Sequence, residues 1–103
     1  MNMDCDYFMC HIREELEGAK AYVKAALELK AVNSSWAKTF LDMCMQELNH
    51  AKNFYDMFNE YYEKVTKPYG EVPKYFRERR TEIVDLYTEC YSKVKCMHEM
   101  VNK

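Results

Sequence analysis

Apolar residues recur every three or four positions along three stretches of the chain. The first stripe is Phe8, Ile12, Leu16, Ala19, Val23 and Ala26. A second runs through Phe40, Cys44, Ala51, Phe54 and Phe58, and a third through Phe76, Ile83, Tyr87, Cys90, Val94, Met97 and Val101. Such spacing puts the residues of each set on one side of an α-helix. Two interruptions separate the stripes. Asn33-Ser34-Ser35 offers a helix end followed by good N-cap residues, and the segment from Lys67 to Pro73 contains two prolines that cannot donate helical hydrogen bonds. The pattern predicts three long helices over residues 3–32, 35–66 and 74–101. A β-sandwich would need turn residues every ten or so positions, and the chain has only two Gly and two Pro. The expected class is therefore all-α, in one domain spanning residues 1–103, with 49% hydrophobic residues to build its core.

A carboxylate interrupts the second stripe. At about 100° per residue, Glu47 falls in the middle of the arc from Phe40 to Phe58, and Glu15 lies about 60° from the centre of the first stripe, beside Tyr22. Its neighbours Glu14 and Glu17 point the other way. An unpaired buried carboxylate costs several kcal/mol or more, so a proton, a basic partner or a metal cation has to compensate it. His50, one turn beyond Glu47, completes a Glu-x-x-His. Imidazole and carboxylate together suit iron, manganese or zinc, and facing helices can bring Glu15 opposite Glu47 and His50. Counted from the Ser34 turn, Glu15 is about 19 residues away and Glu47 about 13, a height mismatch of about 9 Å that loop residues and stagger must absorb.

Charge and cysteine content narrow the function classes. A net charge of −2, with acids and bases interspersed, provides no patch for nucleic acid. No apolar run reaches the roughly 18 residues of a membrane span, and the N-terminus has no secretory pattern, so a cytoplasmic protein is expected. The five cysteines include no Cys-x-x-Cys and are expected to be reduced, small hydrophobes. Zinc gathered by Cys5, Cys10 and His11, or by Cys96 and His98, is a weaker alternative. The Arg77–Arg80 run reads as a solvated face opposing nearby acids. Tyr55, Met57, Tyr61 and Tyr62 widen the apolar face of the second helix, to be covered either by the third helix or by a second copy.

One phrase occurs twice. "EELEGAKAY" begins at Glu14 and "QELNHAKNF" at Gln46, with His50 standing where the first copy has Gly18. Together with "AKTFLDMCMQELNHAKNF", these segments resemble the ferritin-like superfamily, most closely its rubrerythrin branch, over residues 8–60. The resemblance implies that Glu15 is a terminal metal ligand, Glu47 a bridging one, and His50 the ligand completing one ion's shell. It further implies that Tyr22 hydrogen-bonds a ligating carboxylate. His11, one turn before Glu15, is either a supporting partner or a solvated histidine.

The third stripe contains no acid, so one chain carries half of a di-iron set. The short two-helix motif is also similar in layout to encapsulated ferritins, which complete the site at a subunit interface. A homodimer binding two irons, with ferroxidase activity, is the expectation that follows. Peroxidase chemistry of the rubrerythrin type is less supported, since no rubredoxin-like Cys-x-x-Cys pair is present. The competing reading is a non-enzymatic helical dimerisation or adaptor module with a vestigial metal site.

Overall fold

The computed structural model describes residues 3–103. It contains three helices: α1 (Cys5–Leu29), α2 (Ser34–Thr66) and α3 (Lys74–Val101). Their sequence signals are local. Asp4 caps α1 by accepting from the Tyr7 amide at 2.9 Å, and Asn33 caps α2 by accepting from the Trp36 amide at 3.1 Å. The α2 cap is thus Asn33 and not one of the serines, so α2 starts one residue earlier than the sequence suggests. Pro73 precedes α3, where its missing amide costs nothing.

The largest departure from expectation is the end of α1. It stops at Leu29, whose carbonyl accepts from the amides of Val32 and Asn33 at 3.0 and 2.8 Å. Residues 30–33 form the turn. This shortening removes the height mismatch: Glu15 lies fourteen residues before Leu29 and Glu47 thirteen after Ser34, a difference of about 1.5 Å at the helical rise.

All six residues of the α1 stripe are buried, against Leu41, Cys44, Leu48, Ala51 and Phe58 of α2. α3 adds Ile83, Val94 and Val101 to this core. It also covers half of the extra width of α2. Tyr55 stacks on Tyr87 with ring centroids 4.0 Å apart, and the Arg80 guanidinium lies 5.5 Å over the Tyr62 ring. Tyr61 packs on Phe8 of α1, which leaves Met57 of that set exposed. Because α3 sits on this side, the buried arc of α2 is swung toward Leu41 and Leu48. Glu47 is consequently at the edge of the core and not mid-stripe, with Phe40 and Phe54 also half-buried.

Three helices of 25, 33 and 28 residues side by side make an elongated slab, with a radius of gyration of 16.4 Å against about 13 Å for a compact chain of this size. The slab leaves the side of the α1–α2 hairpin turned away from α3 open. On α2 this face runs from Trp36 through Phe40, Met43, Glu47, His50 and Phe54 to Met57, in alternating steps of four and three. On α1 it carries His11, Glu15, Gly18, Tyr22 and Ala25. Among the described residues, no helix is long and apolar enough to cross a membrane.

Candidate metal centre

Glu15, Glu47 and His50 converge midway along the open face. One ligand atom from each lies within 4.8 Å of the others, and among the described residues this is the one set of three His, Cys, Asp or Glu side chains that does so. His50 Nδ1 is 3.4 Å from Glu15 Oε2 and 3.8 Å from Glu47 Oε1. The carboxylates are partly buried, with side chains 22% and 25% exposed, whereas His50 is 54% exposed and faces outward.

Gly18 creates the room for this arrangement. A Cβ at that position would stand 3.0 Å from Glu47 Oε2, so the bare backbone of α1 lets the α2 carboxylate lie against it. The cluster opens into a cleft of about 330 Å³ lined by Glu15, His50, Asn53, Phe54 and Met57. No α3 residue contributes to it. Asn53 was not singled out from sequence; its position one turn beyond His50 was the available signal.

Crowding two carboxyls has an electrostatic consequence. The Glu47 carboxyl is pushed up from 4.5 to about 7, first by hydrogen bonding with Glu15, then by burial and by the charge of Glu15, with His50 opposing the shift. A proton on Glu47 thus stands in below about pH 7 for the compensation a cation would give. Two carboxylates and an imidazole form a donor set suited to a divalent first-row metal, and a bound cation would supply the compensation that Glu47 obtains from the proton. The residues fit such an ion.

The surrounding candidates take other positions. His11 stacks on Phe54 with ring centroids 4.9 Å apart, and its Nδ1 is 4.0 Å from Glu14 Oε2. Tyr22 has Phe40 as its aromatic neighbour at 6.0 Å, and no hydrogen bond joins it to Glu15 or Glu47 among the described residues. Among the described residues, the cysteines form no metal cluster. Cys5 and Cys10 are about 140° apart around α1. Cys5 is buried in the core, while Cys10 is exposed and its thiol donates to Glu14. Cys44, one turn before Glu47, is also buried, which with the Glu47 charge pushes its thiol up to about 11 and keeps it protonated. In the Arg77–Arg80 run, Arg79 pairs with Asp6 and Glu82.

An antiparallel helical hairpin with a Glu on one helix and Glu-x-x-His on the next is the arrangement of carboxylate-type metal-binding bundles. The rubrerythrin family model matches residues 8–103, and the chain belongs to that family, within the ferritin-like superfamily. The match runs through α3, well beyond the segment that carries the resemblance in the sequence. Comparison with curated proteins and with solved structures found no match.

Proposed function

We propose that this protein binds iron through Glu15, Glu47 and His50, and that two copies meet across their open faces to hold two ions in a shared carboxylate/histidine site. The observation that carries this reading is the convergence of those three side chains on an uncovered helical face. Half of a di-metal set lies on each protomer, and a two-fold axis passing beside Glu47 pairs it with its equivalent. The apolar residues flanking the cluster at four-three spacing, including Trp36 at 62% and Met57 at 42% exposure, are what a helix-pair interface requires.

In this reading Glu15 and Glu47 neutralise the bound charge from opposite helices, and His50 supplies a ring nitrogen. His11 and Tyr22 flank the ligands along α1, His11 stacked on Phe54 of the cleft lining and Tyr22 against Phe40. Iron held there supplies one-electron chemistry, with ferrous iron as substrate and oxygen or peroxide as electron acceptor. Manganese and zinc suit the same donors. The proposed setting is the cytoplasm, which five unpaired cysteines fit.

The test is metal content and native mass after anaerobic incubation with ferrous iron. About two irons per dimer is expected, with uptake abolished in Glu47→Ala. A protein that stays metal-free in every oligomeric state would instead leave a helical adaptor.

A further inference from the structure

A second cleft lies between α1 and α3. It has a volume of about 240 Å³. Its floor is Leu16 and Val94, both 2% exposed, and its walls are the half-buried Leu86, Cys90 and Met97. Around the rim stand Arg13, Lys20 and Lys93, with Glu17 as the single acid. Among the described residues, no ion pair within 4.0 Å engages any of the three cations. On α1, Arg13 and Lys20 project about 140–160° around the helix from Glu15, so this cleft and the metal cluster occupy different sides.

An apolar floor bordered by unengaged cations is complementary to a ligand that is apolar along its length and anionic at one end. The floor removes hydrocarbon from water, and flexible lysine and arginine heads can close on an anionic group from either helix. The excess of two positive charges at the rim stands against a chain whose net charge is −2. The cleft is slightly smaller than the roughly 300 Å³ at which drug-sized pockets begin, which suits a single narrow chain better than a ring system. The lining spans two turns of α1 and three of α3, so the cleft is longer than it is wide.

We propose that the α1–α3 cleft binds a free medium-chain carboxylate, its alkyl part lying on Leu16 and Val94 and its head held among Arg13, Lys20 and Lys93. This does not depend on the metal site. The probe is decanoate, added below its micelle concentration to the full chain. Backbone amide spectra should shift at residues 13–20 and 86–97, and decanoate should slow alkylation of Cys90, followed by peptide mass spectrometry, while leaving the exposed Cys10 and Cys96 unchanged.

Reversing two rim charges in Lys20→Glu/Lys93→Glu, both at exposed positions that leave the core intact, should weaken binding about tenfold. Decanol, with the same chain and no charge, should bind more weakly than decanoate. The proposal is overturned if shifts cluster instead around Phe54 and Met57, if the double variant binds as tightly as wild type, or if binding appears only with micelles or phospholipid vesicles. Repeating the titration in metal-free Glu47→Ala separates the two sites, because decanoate binding should persist there.

Discussion

The two sides of the α1–α2 hairpin carry apolar residues at the same helical spacing and are used differently. On the side closed by the helix pair and α3, Phe58, Ile12, Leu48 and Ile83 are fully buried. On the side turned away, Phe40, Phe54, Trp36 and Met57 are half-buried or exposed, and a carboxylate pair with a histidine interrupts them. Periodicity alone reports that a helix has an apolar arc, not which part of the arc is dry. The position of α3 decides that, and the groups that need water or an ion lie where α3 is absent.

Paired substitutions test this difference most directly. Phe58→Ala should cost roughly 3–5 kcal/mol in denaturant unfolding, and Phe54→Ala only about 1 kcal/mol in dilute, metal-free protein. If Phe54→Ala costs as much as Phe58→Ala, the open face is covered in solution, and a cost that grows with protein concentration identifies a second copy as the cover. Met57→Glu sharpens the same point. In the two-copy reading proposed above, it should lower the native mass of any wild-type dimer to that of a monomer, while changing monomer stability by no more than about 0.5 kcal/mol.

Gly18→Ala should separate site from scaffold. Removing a helix-interior glycine stabilises by about 0.5–1 kcal/mol. The new methyl displaces the Glu47 carboxylate, so iron affinity should fall about tenfold while the melting temperature of the metal-free protein rises. A fall in both would mean that the methyl disturbs the packing of α1 on α2.

The smallest effect concerns pH. Because the folded state holds the Glu47 proton up to about 7, against 4.5 when unperturbed, the stability this proton contributes is fully present below pH 4.5 and lost as pH rises through 7. The melting temperature of metal-free wild type, measured relative to Glu47→Gln, should therefore decline across that window. A flat difference would show that the Glu47 carboxyl is not held protonated in the folded state.

Much of this was legible in the residues. The six-residue stripe of α1 marked its buried face correctly, and the asymmetry among Glu14, Glu15 and Glu17 was readable because helix phase alone sets it. What the residues did not disclose depended on neighbours or on a single turn. Glu47 was read as central to its stripe, since nothing in α2 says on which side α3 will pack. Most of the 9 Å mismatch came from counting the five steps between Leu29 and Ser34 at the helical rise, although the carbonyl of Leu29 ends the helix with two turn hydrogen bonds. Tyr55 and Tyr62 could have served a partner copy equally well until the rings of Tyr87 and the guanidinium of Arg80 were found against them.

The near-equal distance of Glu15 and Glu47 from the Leu29–Ser34 turn makes that turn a natural place for length change. A residue inserted between Glu15 and Leu29 would lift Glu15 by about 1.5 Å and rotate it by about 100°, out of reach of its partners. A loop of any length grafted at positions 30–33 would leave both helical counts untouched. A chain split at this turn should therefore still bring the three side chains together, with the two helices supplied as separate pieces of polypeptide.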